Sequence, residues 1–257
     1  MSNWHVYAAA DPDALNPRNL ALPVPGIRGT AVHLVKCGPL VVAASDLAEQ
    51  VERPTPEELA AHAEVARWFL DQGATVLPFR FGVTAPSQQA IRRLVELNER
   101  ALVRQLDYLR GRVEASLVAF WEREALRQAL LRTPAVRRCV AAARVSPGSE
   151  YAARVELGSL AERVVQTWRE QCELLARRSL MSHVVELQEG RLIGVRMLIN
   201  LALLVPETEQ ETIRAIVARL QESLRGRLRF RLTMPLPAFS FANIALRVPS
   251  DIEVAGR

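Results

Sequence analysis

A chain of 257 residues is long enough to bury one or two cores, and with 49% hydrophobic and 24% charged residues it reads as globular and too polar throughout for a membrane span. The formal net charge of +5 does not point to nucleic acid, because the arginines are spread along helical stretches and interleaved with glutamate, as in EREALRQALLR and VARLQESLRGR. Three cysteines, Cys37, Cys139 and Cys172, lie far apart and outside any CxxC pair, which excludes a disulfide framework or a zinc site built on them.

The opening MSNWHVYAAADPD has no basic segment followed by an apolar one, so it does not read as a secretory signal and a cytoplasmic protein is expected. WHVYAAA, 4–10, is the first predicted strand, followed by a loop rich in proline and asparagine. AVHLVK, 31–36, and LVVAASDL, 40–47, flank Cys37-Gly38-Pro39 and predict a β-hairpin. In TPEELAAHAEVARWFLDQG, Thr55 is placed as an N-cap, Pro56 suits the first helical position, Glu58 completes a capping box and Gly73 stops the helix. ATVLPFRFGV, 74–83, predicts a strand interrupted by Pro78. Ser87 opens a long helix to about Arg110, with Ile91, Leu94, Val95, Leu102, Leu106 and Leu109 on one face and Gly111 as its end. Residues 1–110 are thus expected to form an α+β domain.

The second half has a different order. GRVEASLVAF, 111–120, predicts a strand, followed by helices over about 122–144 and 149–179 separated by the breaker Ser146-Pro147-Gly148. SHVVELQ, 182–188, and RMLINLALLV, 196–205, flank a turn at Glu189-Gly190. TEQETIRAIVARLQESLRG predicts a helix with Thr208 and Glu211 as a second capping box and Ile213, Ile216, Val217, Leu220 and Leu224 as its buried stripe. RLRFRLT, 227–233, closes the set. The order β-α-β-β-α-β is the ferredoxin-like split βαβ, whose first and third strands are central. LINLALLV is apolar almost throughout, as a central strand requires, whereas RLRFRLT alternates Leu228, Phe230 and Leu232 with arginines that would protect an edge. The expected boundaries are an N-terminal α+β domain, 1–110, a ferredoxin-like domain, 111–233, and a C-terminal tail, 234–257.

Catalytic chemistry is thin in this sequence. His5, His33, His62 and His183 form no HxH, HExxH or HxxxH arrangement, and His33 and His183 fall in predicted strands, so structural roles are expected and no metal. There is no GxGxxG, GxxxxGK[ST] or GxSxG, and Ser146-Pro147-Gly148-Ser149 reads as a turn followed by an N-cap, so no catalytic residue and no cofactor are expected. The third strand of the ferredoxin-like order carries no aromatic on which RNA bases would stack, so no nucleic-acid partner is expected.

Two segments stand out against this background. In VLPFRFG, 76–82, Phe79 and Phe81 would share one face of a strand, Arg80 the other, and Gly82 would let the backbone turn. In LTMPLPAFSFANI, 232–244, Pro235 and Pro237 favour an extended path presenting Leu236, Phe239 and Phe241 as an apolar ribbon. That ribbon has two open readings: a clasp that folds back to seal the groove between the domains, or a surface that meets a partner.

Both segments resemble the most characteristic stretches of the GvpL/GvpF family of gas vesicle proteins, which read close to VLPxRFG and TGPWPPYSF. GPLVVAASDL, LAAHAEV and SPGSEYAARV resemble the family's GGL-AVVS, L-x-x-H-x-x-V and G-x-x-Y-L segments, so the resemblance runs in order from about Val6 to Ile244. Met234 stands where glycine is usual, Leu236 replaces tryptophan, and Ala238-Phe239 replaces Pro-Tyr. The resemblance implies two domains, the second a modified ferredoxin-like fold. It also implies a non-enzymatic accessory or minor structural protein of gas vesicle assembly in the cytoplasm or on the vesicle. Its partners would be the small, very hydrophobic shell protein and other gas vesicle accessory proteins, and its role that of chaperone, nucleator or minor shell component. The alternative from another class is a small-molecule enzyme or sensor using a cleft between the two domains.

Overall fold

The computed structural model describes residues 3–12, 22–145, 150–248 and 252–254. Its first strand, β1 (Asn3–Ala10), is buried at every position from His5 to Ala10, because neighbours cover both of its faces and leave no polar alternation to see. β2 (His33–Cys37) and β3 (Leu40–Leu47) form the expected hairpin about Gly38, whose φ of 59° lies in the left-handed region. β3 pairs antiparallel with β1 from Asn3↔Leu47 to Ala10↔Val41, with an irregularity between Val6 and Ala8.

On the other side of β1 the predicted single strand 74–83 is replaced by two short ones. β4 (Val76–Pro78) pairs with Ala8–Ala10, and β5 (Val83–Ala85) pairs with Trp4 and His5. Pro78 has no N–H to continue the ladder, so after a last bond from Phe79 N–H to the Tyr7 carbonyl (2.9 Å) the chain leaves the sheet. It turns at Phe81-Gly82, with Gly82 at φ 94°, which only glycine adopts without strain. Phe79 and Phe81 are therefore loop residues, not neighbours on one strand face. The last strand, β10 (Glu253–Val254), adds to β5, giving the order β10-β5-β1-β3-β2 with β4 beside β1.

Two helices accompany this sheet. α1 (Pro56–Asp71) begins in the predicted capping box: Glu58 N–H donates to Thr55 Oγ1 (3.2 Å) and Thr55 N–H to Glu58 Oε2 (2.9 Å). α2 (Gln88–Leu109) starts at the Ser87 cap and buries all six residues of the predicted stripe. The core beneath α1 contains Tyr7, Ile27, Leu47, Val65, Phe69 and Val76.

The second sheet has the order β7-β8-β6-β9, which places the first and third strands of the βαββαβ series in the centre. Its strands are β6 (Arg112–Trp121), β7 (Glu186–Glu189), β8 (Met197–Pro206) and β9 (Leu228–Leu236). The first crossover holds three helices, α3 (Arg123–Arg132), α4 (Pro134–Val145) and α5 (Glu150–Leu180); α6 (Gln210–Ser223) forms the second.

Four features of this unit differ from the expectations. The predicted helix 122–144 splits at Thr133, because Pro134 can start a helix but cannot donate within one. The second capping box does not form: Glu207–Glu209 make a 3-10 turn and Glu209 caps α6 without a side-chain bond. His183 lies in the turn before β7, its Nδ1 3.0 Å from Glu209 Oε2. Finally, β9 continues through Pro235 to Leu236, since an edge strand tolerates the missing N–H of proline. The breaker at 146–148 and Ser149 lie outside the described residues.

By compactness the chain divides into one unit of residues 1–114 with 235–257, and a second of 115–234. Among the described residues no helix is long and apolar enough to cross a membrane.

The two caps make a paired prediction. Thr55→Ala should cost about 1 kcal/mol of stability, whereas Thr208→Ala should stay within about 0.5 kcal/mol, because only Thr55 holds a helix N–H. Chemical denaturation of both variants checks this.

Candidate functional site

Three apolar residues of α1, Val65, Ala66 and Phe69, share a buried helical face with His62, which recurs at the same spacing and so faces inward with them. His5 points into the same interior from β1. The two imidazoles meet there, both almost fully buried, with His5 Nε2 2.9 Å from His62 Nδ1 and His62 Nε2 2.9 Å from the Phe79 carbonyl oxygen. A carbonyl only accepts, so His62 must carry its proton on Nε2 and present Nδ1 as the acceptor for His5 Nε2–H. The result is a directed chain of two neutral imidazoles ending on the backbone of the first distinctive segment.

A second polar chain lies beside it. Tyr7 Oη is 2.6 Å from Ser45 Oγ and accepts from Ile27 N–H at 3.0 Å. A Cβ on Gly26 would sit 2.3 Å from that phenolic oxygen, so the approach of the 26–27 backbone requires glycine. Arg28, next along, pairs with Glu58 of the capping box at 2.8 Å.

The two distinctive segments converge on this cluster. Phe79 is buried and Phe81 half-buried, with the Phe81 ring 4.9 Å from His5 and 5.4 Å from His62. From the C-terminal segment, the half-buried Phe239 ring stands 5.8 Å from His62 and packs on the same core. Pro237, Ala238 and Phe241 are buried, and Pro235 and Leu236 half-buried at the end of β9. Gly82 is buried at the turn, whereas Arg80 is exposed.

Polar side chains strap the segment down. Glu114, near the start of β6, accepts from Ser240 N–H and from Ser240 Oγ–H, each at 2.8 Å. Gln105 Nε2 donates to the Phe241 carbonyl at 2.8 Å. Asn98 exchanges two bonds with Arg247, donating to its carbonyl and accepting its N–H, each at 2.8 Å. Further on, Ile252 is buried and Glu253–Val254 pair with β5.

Burial dominates the electrostatics. It holds the His5 imidazole down at about 3, with the neighbouring His62 adding to the effect, and it lowers His62 against the opposing pull of the Phe79 carbonyl. Burial raises the Glu114 carboxyl, while the two Ser240 bonds work the other way. Each of these polar groups is hydrogen-bonded to a neighbour, and His5, His62, Tyr7, Ser45 and Glu114 are buried. Among the described residues no group of three or more His, Cys, Asp or Glu could hold a metal ion.

Of the nine residues singled out from sequence, Phe79, Phe81 and Phe239 meet around the histidine pair, Phe241 anchors the same segment, and Arg80 stays outside. The sequence reading missed His5 with His62, and Glu114, Gln105 and Asn98. His62 and Asn98 were legible as polar residues on otherwise apolar helical faces; Glu114, between Val113 and Ala115, carried no such signal.

The comparisons with known proteins agree with one another. The family model described as "Gas vesicle synthesis protein GvpL/GvpF" matches residues 3–243. The chain is 28% identical over 211 residues to a Streptomyces protein named gas vesicle protein F, covering 82% of this chain and 87% of that one. Crystal structures of the gas vesicle protein GvpF from Anabaena and from Microcystis aeruginosa share its fold, with TM-scores of 0.78 and 0.74. Their identities are 21% and 22%, and each comparison covers 95% of this chain and 100% of the other.

Two outcomes follow from the cluster. Phe241→Ala should cost about 3–5 kcal/mol and Phe239→Ala less, since only the first ring is fully buried. In acid, the depressed His5 imidazole makes the unfolded chain hold more protons than the folded one between about 3 and the ordinary histidine value of 6.5, and the lowered His62 acts in the same sense below 6.5. Stability should therefore fall as pH drops below about 6.5, by up to about 1.4 kcal/mol per pH unit for each imidazole. Glu114, raised above 4.5, acts in the opposite sense over its own range. Denaturation of the wild type and of His62→Asn between pH 4 and 8 checks the assignment, with a flatter profile expected for the variant.

Proposed function

Taking as its premise that the chain belongs to the gas vesicle synthesis protein GvpL/GvpF family, we propose that it is a non-enzymatic assembly factor that binds the small hydrophobic shell protein through its second unit. On this reading Phe79, Arg80, Phe81, Gly82, Pro235, Leu236, Pro237, Phe239 and Phe241 form a structural clasp, and the shell contact is made elsewhere. The assembly role carried by the family does not need a reacting group, and the buried His5, His62, Tyr7 and Ser45 offer none to solvent.

The observation that carries the proposal is a rigidly displayed apolar turn. Ile193 and Val195 are 71% and 62% exposed on the connection between β7 and β8. Arg169 of α5 pins that connection, donating from Nε to the Met197 carbonyl (3.1 Å) and from Nη2 to the Gly194 carbonyl (2.8 Å). Leu174, Leu175 and Met181, near the end of α5, are also exposed. Among the described residues the first unit exposes only Leu59 and Leu97 of comparable character, so the apolar surface suited to an apolar partner belongs to the second unit.

Co-expression with a shell protein and affinity capture tests this. Ile193→Ser with Val195→Ser should leave the melting transition within about 2 °C, as exposed substitutions do, and reduce capture at least tenfold. Phe239→Ala with Phe241→Ala should lower the melting temperature. If instead the second pair melted like the wild type and abolished capture, the C-terminal segment would be the binding surface and the clasp reading would be wrong.

A further inference from the structure

An open cavity of about 740 Å³ runs along α3, between that helix and the turn that leads into β9. Trp121 closes one end, where β6 gives way to the helix, and Arg132 marks the other. Between them Ala125 and Ala129 lie one turn apart and offer only methyl groups, which leaves a trough with Gly226 and Arg227 on its far side. From Glu122 to Arg132 the helix rises about 15 Å.

Its charges are unevenly committed. Glu122 is engaged by Arg229 at 3.0 Å and Glu124 by Arg127 at 2.8 Å, so both lining carboxylates already have a counter-ion. Arg123, Arg132 and Arg227 also line the cavity, and among the described residues none of the three has an ion pair or a side-chain hydrogen bond. With both acidic groups of the lining paired, the trough carries three uncompensated guanidiniums. Each has a planar fork of donors suited to a carboxylate.

We propose that this trough binds an acidic peptide segment of a partner protein, in extended form, with carboxylates at its two ends. An extended chain advances about 3.3 Å per residue, so four or five residues span the distance from the Trp121 end to Arg132. A single small anion reaches the guanidiniums at one end only, whereas carboxylates several residues apart engage Arg132 and the Arg123–Arg227 end together. Between those contacts the Trp121 ring and the two alanine methyls accept the apolar part of the segment. Trp121 N–H donates to the Arg196 carbonyl at 2.8 Å, so the trough adjoins the Ile193–Val195 turn at that end, but its arginines act whatever the turn binds.

The test is fluorescence anisotropy with a labelled pentaglutamate peptide at fixed salt. Arg132→Glu with Arg227→Glu should weaken binding at least tenfold without moving the melting temperature, and the milder Arg132→Gln with Arg227→Gln should weaken it severalfold. A remote pair of equal charge change, Arg53→Glu with Arg104→Glu, should alter it less than twofold. Equal loss in the trough pair and the remote pair would reduce the effect to overall charge and overturn the site. Competition by inorganic phosphate or by oligothymidylate at the same charge concentration as effectively as by unlabelled peptide would overturn the peptide assignment, as would no binding at all.

Discussion

One imidazole, that of His62, ties together parts of the chain that are far apart in sequence. Its Nδ1 takes a proton bond from His5 on the central strand, its Nε2 gives one to the backbone at Phe79, and its ring neighbours include Phe81 and Phe239. A neutral imidazole has one donor and one acceptor, and here both are used inside a core that excludes water. If either partner moved, a buried polar atom would be left unpaired, at a cost of about 1–3 kcal/mol, so strand, helix, loop and C-terminal segment are held to one arrangement. The same saturation commits the hydrogen-bonding capacity of both ring nitrogens of His62 to the fold.

The C-terminal segment illustrates how polar bonds and apolar burial divide the work. Burial of Phe241 and Ala238 is non-directional and would tolerate a slip of the chain. Glu114 does not tolerate one, because its two oxygens take the amide and hydroxyl of the same residue, Ser240; nor does Asn98, whose amide matches both backbone groups of Arg247. These bonds set the register, and with it the position of Phe239 beside His62. A family segment that looks like an exposed ribbon in sequence is in this way bound into the unit that begins the chain.

The second unit is built on different terms. Its four-stranded sheet is the ferredoxin-like arrangement, and its outer elements carry features that the core does not use: the apolar turn pinned by Arg169, and the arginine-lined trough along α3. Ile193 and Val195 stand outward, and the arginines of the trough are exposed to solvent. The residues that build the cores and the residues that stand outward are in this way different sets, and the proposed recognition surfaces are drawn from the second set.

Sequence by itself determined the local elements wherever a periodic pattern and its punctuation agreed. The Thr55–Glu58 capping box, the α2 stripe from Ile91 to Leu109, the hairpin about Gly38 and the split βαβ order all follow from short-range rules, because propensity, capping and period act within a few residues. The resemblance in VLPFRFG and LTMPLPAFSFANI likewise placed the family, which the match over residues 3–243 bears out. What only the tertiary structure decided is where competing local rules are settled by distant partners. Thr208 and Glu211 satisfy the capping pattern, yet the chain enters α6 through a 3-10 turn. Pro78 ends β4 by lacking an N–H, but that the rest of this edge of β1 goes to β5 is settled by pairing, and His5 and His62, 57 residues apart, become one hydrogen-bonded unit only when β1 and α1 pack. Hydrogen bonds between side chains of large sequence separation leave no periodic trace, so Glu114 with Ser240 and Asn98 with Arg247 could be found only once the fold had brought them within 2.8 Å.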